Sequence, residues 1–275
     1  MKKYFCLAFA ALALLTGCAR TSAAAANDTM YQVSTLQALM LGDYHGSVSV
    51  RQMRAQGDFG LGTFDALDGE MIVVDGKVYQ ARGDGSVVLC ADSMTTPFCS
   101  VTRFSADSTL DLPSVTSLDE LKAALTAEIN ARNPNMMYAV RLRGLFDSVT
   151  VRSEKAQQEP YRDLNTVMQT AQVVFPAMEN VRGTLVAVYF PAYMDGLNTP
   201  GLHFHFLRED AGAGGHVLAL SFRGLTAELD ETPAFSMALP RDEAFRQLDL
   251  TAELGSAIAR VETGGATAEC APPAR

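Results

Sequence analysis

Three of the four histidines in this 275-residue chain fall within fourteen positions: His203, His205 and His216. His203 and His205 stand two apart in Gly201–Leu207, a run that reads as a strand. Strand side chains repeat every two residues, so both imidazoles leave one face while Phe204 and Phe206 leave the other and pack. Ala211-Gly212-Ala213-Gly214-Gly215 permits a tight return, and His216 then opens the next antiparallel strand beside the first two. Three neutral imidazoles converging from paired strands suit one divalent cation, with zinc the default. No Cys joins the set, which favours a catalytic ion with open positions over a structural one. The pattern alone permits more than one chemistry. A hydratase, a cupin-like oxygenase and a non-catalytic metal-binding exported lipoprotein all remain open on these residues.

The elements that must hold this trio are partly legible. Apolar residues at Met30, Val33, Leu36 and Met40 predict a helix within Thr29–Leu41. Met71–Val74 and Lys77–Tyr79 flank Asp75-Gly76, a strong hairpin signal, because Asp-Gly tolerates the positive φ of a tight turn. Ser117-Leu118-Asp119-Glu120 is a capping box that opens a helix with Leu118, Leu121, Leu125 and Ile129 on one face. Tyr138–Val151 alternates like a strand, with Tyr138, Val140 and Leu142 on one face and Ala139, Arg141 and Arg143 on the other. Ser153–Asp163 reads as a linker and Leu164–Phe175 as a helix. Strands follow at Thr184–Phe190, Gly201–Leu207, His216–Phe222 and Leu225–Leu229, and Arg241–Glu262 is helix-like. The expected class is mixed α/β (α+β), in two domains, each a mixed or antiparallel sheet with flanking helices and the site near their interface. The expected divisions are a leader at 1–17, a tether at 18–28, an N-terminal domain at 29–155, a β-rich metal-binding domain at 156–268 and a tail at 269–275.

Composition narrows the partners. With 48% hydrophobic residues the chain can fill a sizeable core. Its net charge of −9 and lack of a basic tract speak against nucleic acid. The absence of Trp removes the largest aromatic platform. Met-Lys-Lys, an apolar run from Tyr4 to Leu15 and Thr16-Gly17-Cys18 read as a secretory leader too short to span a bilayer. Leu15-Thr16-Gly17-Cys18 resembles a bacterial lipobox, which implies cleavage before Cys18, its acylation, and an exported protein that meets the membrane only through lipid. Cys90 and Cys99 flank a turn-rich segment, and in an oxidising compartment they are either a disulfide or two small free hydrophobes. Cys270 has no evident partner.

Several ordered motifs resemble the α-acetolactate decarboxylase family. Tyr31–Leu36, Gly57–Phe64, Leu67–Glu70, Asp75–Gln80, Tyr138–Leu142, Gly183–Val186, Pro200–Leu207 and Gly214–Leu218 are similar to its segments in order, across residues 30–262. Arg143, Val188-Tyr189 and the lipobox depart from its usual pattern. The resemblance implies conversion of 2-acetolactate to acetoin and CO₂. In this reading Zn²⁺ on His203, His205 and His216 chelates the substrate hydroxyl and ketone oxygens and stabilises an enediolate, which is then protonated. It further implies Glu70 as proton donor and Arg141 as the fork that grips the substrate carboxylate. Glu262, with Glu253 competing, lies near the metal or the proton path, and Thr63 bonds substrate or orients Glu70. The family also suggests a homodimer.

Overall fold

The computed structural model describes residues 28–251, together with Ala257 and Val261. The leader, Cys18 and most of the tether, Glu253, Glu262, Cys270 and the tail lie outside the described residues.

Along the chain the first half comprises β1 (Thr29–Val33), α1 (Leu36–Met40), β2 (Val48–Ser49), α2 (Val50–Arg54), β3 (Phe59–Thr63), β4 (Glu70–Val74), β5 (Lys77–Ala81), β6 (Val87–Leu89), β7 (Thr95–Thr96), β8 (Cys99–Thr102), β9 (Ser108–Val115) and α3 (Leu118–Arg132). The second half comprises β10 (Met137–Glu154), α4 (Leu164–Ala171), β11 (Gln172–Val174), β12 (Met178–Phe190), β13 (Gly201–Arg208), β14 (Gly214–Thr232), β15 (Ala234–Ala238) and α5 (Glu243–Arg246). One seven-stranded sheet runs β15-β1-β8-β3-β4-β5-β6, and a six-stranded sheet runs β11-β10-β12-β13-β14-β9. β10 also pairs with β14, which closes the second sheet on itself. The mixed α+β class is as expected.

The sheets do not divide where the sequence suggested. β9 and β10 precede residue 155 yet pair with the C-terminal strands, while β15 returns to lie parallel to β1. Strand pairing between distant segments decides this, and local composition carries no trace of it.

Two apolar layers hold the sheets. Tyr138, Val140 and Leu142 face a core shared with Phe204, Phe206 and the Leu121-Leu125-Ile129 face of α3. The opposite face of the second sheet, through Ala139, Val186 and Val188, meets Leu61, Ile72 and Val74 of the first. Burial of this kind is the dominant favourable term in folding. The Ser117 hydroxyl caps α3 by accepting from the Glu120 N–H. The Glu120 carboxylate instead accepts from the N–H and hydroxyl of Thr116, so only one arm of the expected box forms.

The Asp75-Gly76 hairpin is present, with φ of 51° and 71° at its two turn residues. Thr29–Leu41 is not one helix. Ser34 takes φ 57°, Thr35 caps a helix only from Leu36, and β1 is paired on both edges. Those ladder bonds outweigh a helical pattern of four apolar residues. The helix predicted over Leu164–Phe175 ends at Ala171, and β11 takes up Gln172–Val174. His216–Phe222 and Leu225–Leu229 are parts of one strand, β14, which runs through Gly224 at φ 66°. The tract from Arg241 shows only α5 and the helical Ala257 and Val261 among the described residues. Cys90 and Cys99 are free thiols, both pushed up to about 12 by burial, so neither offers thiolate at neutral pH.

Candidate active site

The histidines face the layer between the sheets. His205 and His216 are direct cross-strand partners on β13 and β14, and His203 follows by the two-residue repeat. One ring nitrogen from each of the three lies within 4.8 Å of the other two. His203 Nε2 is 2.9 Å from His216 Nδ1. His205 Nδ1 stands 2.8 Å from the Met71 carbonyl, so that nitrogen carries the proton and donates it. This tautomer turns the lone pair of Nε2 toward the common space. Burial, then the neighbouring His205, Arg152 and Lys122, hold His203 well below its usual 6.5. Neutral nitrogen donors on facing strands are the set a divalent ion requires, and the residues present fit one.

Gly215 makes this placement possible. It sits at φ 148°, and a Cβ there would collide with the Arg152 carbonyl on β10. The close approach puts His216 directly across from Arg152 in the ladder.

The first sheet supplies Glu70, which leads β4 after Gly69 and shares its face with Ile72 and Val74. Only 6% of it is exposed, and Glu70 Oε2 lies 3.2 Å from His205 Nε2. Thr63 is its partner across the β3–β4 ladder. The Thr63 hydroxyl donates to the Gly69 carbonyl at 2.8 Å, which steadies the turn that aims Glu70.

The expectation for Arg141 does not hold. Its guanidinium donates to both Glu228 oxygens, at 2.7 and 3.2 Å, and stacks 4.4 Å over the Phe104 ring. It is not among the residues lining the cavity. Arg152 is there instead, 3% exposed, with Nη1 donating to Glu70 Oε1 at 3.0 Å and to Glu154, and Nη2 to the Val261 carbonyl. Arg152 Nε is buried with no hydrogen-bond partner among the described residues. A register irregularity near Ser148 explains the exchange. It reverses the alternation of β10, so Val149 and Val151 take the core face and Arg152 and Glu154 the site face.

Glu154 was read as linker and is also buried, 3% exposed. Burial and the charge of Glu70 push its carboxyl well above the usual carboxylate range, against the pull of Arg152. The signal that would have found both residues is the one that found the histidines: ionisable side chains two apart on a strand. Glu262 lies outside the described residues, but its neighbour Val261 lines the cavity.

These groups form one wall of a cavity of about 50 Å³. A single water occupies roughly 10–15 Å³ on the same measure, so the space suits a small molecule. The remaining wall is apolar, made by Leu36, Leu39 and Met40 of α1 with Phe98, Leu164 and Met168. A carboxyl group and a guanidinium beside a metal-ligand trio, facing an apolar wall, can hold an anionic substrate and move one proton.

Residues 30–252 match the model of the family described as alpha-acetolactate decarboxylase. The alpha-acetolactate decarboxylase of Methanosarcina mazei is 43% identical over 237 residues, covering 86% of this chain and 81% of that protein. That of Brevibacillus brevis is 37% identical over 239 residues, covering 87% and 82%. The crystal structure of alpha-acetolactate decarboxylase from Bacillus subtilis strain 168 superposes with a TM-score of 0.79 at 33% identity, covering 86% of this chain and 99% of that one. A match that runs from β1 past β15 takes in both sheets and the histidine strands between them, and with relatives of this identity it makes the chain a member of the alpha-acetolactate decarboxylase family.

Proposed function

We propose that this enzyme converts 2-acetolactate to acetoin and CO₂ in the cavity between the sheets, with one Zn²⁺ held by His203, His205 and His216. The observation that carries the reading is the convergence of three ring nitrogens within 4.8 Å beside a buried Glu–Arg pair. When bound, the ion supplies Lewis acidity, drawing negative charge from the hydroxyl and ketone oxygens of the substrate.

This chain's own residues do the rest. Arg152 has an uncommitted Nε donor and holds the substrate carboxylate before it departs, the role the sequence assigned to Arg141. The apolar wall excludes water, which strengthens every charge interaction inside. It also offers neutral CO₂ an exit that requires no solvation. Glu70 delivers the proton to the carbon that loses CO₂. Thr63 holds the turn that aims it.

Export as a lipoprotein acylated at Cys18, and assembly as a homodimer, belong to the same proposal. The leader and lipobox support the first and the family resemblance the second. No helix among the described residues is long and apolar enough to cross a membrane.

Purified protein, analysed for metal, is incubated with 2-acetolactate while acetoin and CO₂ are measured. Zinc near one per chain with stoichiometric products is expected. His203→Ala is expected to lose both bound zinc and turnover. A His203→Ala protein that keeps zinc and full activity would remove the ligand assignment.

A further inference from the structure

The turn between β3 and β4 holds two residues in a conformation that side chains disfavour. Ala66 and Leu67 take φ of 59° and 55°, the left-handed region that glycine usually fills. Gly69, two residues on, takes φ 83° at a point where a Cβ would strike the Ala81 carbonyl. A glycine is thus present where space demands one, while Leu67 keeps a full isobutyl side chain against its backbone preference. Three other segments pin this turn. The Tyr44 carbonyl accepts from the Ala66 N–H at 2.9 Å, the Ala66 carbonyl accepts from the Gln157 N–H at 2.7 Å, and the Gln80 side chain donates to the Asp68 carboxylate at 2.8 Å. Such strain persists only where the surroundings over-determine it, and it gathers at ligand sites.

Leu67 is 3% exposed and lines the cavity together with Thr63 and Glu70. It packs in one apolar cluster with Leu36, Leu39, Met40, Phe98 and Leu164, and each of these lines the cavity as well. The cluster therefore closes around a hollow. We propose that Leu67 is a specificity-determining residue whose isobutyl group limits the alkyl substituent on the carbon that loses CO₂, favouring methyl over longer chains. This rests on the decarboxylase reading above.

The polar groups of the substrate belong to the opposite wall, the carboxylate with Arg152 and the hydroxyl and ketone oxygens on the histidine side. What remains on the reacting carbon is its alkyl group, which the apolar wall receives. Leu67 differs from the wall residues on α1 and α4 in being held by a turn bonded to three other segments, three residues before Glu70. One stretch of backbone thus places both the group that protonates the reacting carbon and the group that bounds its substituent. A rigid boundary discriminates by size, because an over-long chain must displace it and close-packed surroundings yield only at a cost. The cavity, at about 50 Å³, is in keeping with a substrate of few carbons. An extra methylene against such a boundary is worth about 10- to 200-fold in kcat/KM.

The test compares 2-hydroxy-3-oxobutanoates that carry methyl, ethyl or propyl on the hydroxyl-bearing carbon, with CO₂ release followed on zinc-loaded full-length protein. For the wild type, kcat/KM should fall by at least about 100-fold from methyl to propyl. Leu67→Ala should narrow that gap by at least about tenfold. Ala66→Gly relaxes the adjacent left-handed residue without altering a side chain that lines the cavity, and should keep the wild-type ratio. A ratio of two kcat/KM values on one preparation cancels the amount of folded, metal-loaded enzyme, so a partly unfolded variant still answers. Calorimetric binding of the unreactive acids 2-hydroxy-2-methylpropanoate and 2-hydroxy-2-methylpentanoate should show the same narrowing in Kd. An unchanged ratio in Leu67→Ala, a wild type that accepts propyl as readily as methyl, or an equal change in Ala66→Gly overturns this proposal alone. A wild type that releases CO₂ from none of the series overturns the decarboxylase reading as well.

Discussion

Arg152 and Arg141 lie on the same strand, yet their surroundings give them different work. Arg141 is satisfied by Glu228 and Phe104, whereas Arg152 is buried against Glu70 with a donor to spare. Hydrogen bonds to charged groups are worth about 1.5–3 kcal/mol, and 1.4 kcal/mol is about tenfold. Arg152→Lys should therefore lower kcat/KM by about 10- to 100-fold, because an ammonium cannot reproduce the fork. Arg141→Lys should stay within about twofold, as for a partly exposed ion pair. Steady-state kinetics on both variants separates them, and equal losses would return the carboxylate-binding role to Arg141. The residue types at the site were legible because His-x-His on a strand has a fixed geometric meaning. Arg152 and Glu154 were not, since a shift in register moved them to the site face.

At the scale of elements, the pairing of β14 with its neighbours sets the site. Gly215 lets β14 approach β10 at the point where His216 faces Arg152. Gly215→Ala introduces a Cβ against the Arg152 carbonyl at a φ that L-residues avoid, a strain of about 1–3 kcal/mol. Differential scanning calorimetry should show a fall in Tm of several degrees, and zinc affinity should weaken with it as His216 is displaced. Unchanged Tm and zinc affinity would mean the backbone tolerates the side chain. The hairpin at Asp75-Gly76 and the helix after Ser117 could be read beforehand, since turn and cap chemistry act over a few residues. The strand character of Thr29–Val33 depends on β8 and β15, which are distant in sequence.

At the scale of the whole molecule, the return of β15 to β1 brings Asp230, at the C-terminal end of β14, close to Asp28, Asp58 and Asp107. Asp230 is fully buried, accepts from the Ser105 N–H at 3.3 Å, and has an Oδ1 with no hydrogen-bond partner among the described residues. Burial raises its carboxyl to about 7, with further contributions from the neighbouring acids. A carboxyl raised in the folded state is fully stabilising only below its unfolded value near 4, and that stability is lost as pH rises toward 7. Asp230→Asn should therefore melt higher than the wild type at pH 8, by about 2–4 °C for ~1 kcal/mol in a chain of this size, with the advantage gone at pH 4. Equal Tm differences at both pH values would show that Asp230 does not titrate in this range. The proposed lipid anchor is tested on the whole molecule too. Cys18→Ser expressed with its leader should move from the detergent-rich to the aqueous phase on Triton X-114 partition, and a wild type already aqueous would refute acylation.

The amino-acid sequence by itself determined the mixed class, the hairpin and helix whose signals are local, the three histidines and the presence of Glu70 beside a turn. Each depends on side-chain periodicity or backbone chemistry over a few residues, which no distant contact is needed to express. Tertiary structure alone decided that β9 and β10 join the C-terminal sheet, that Arg152 rather than Arg141 reaches the cavity, and that Glu154 meets Glu70. These depend on which strands pair and in what register. A shift of one residue in that register exchanges the two faces of a strand, and nothing in the local sequence records it.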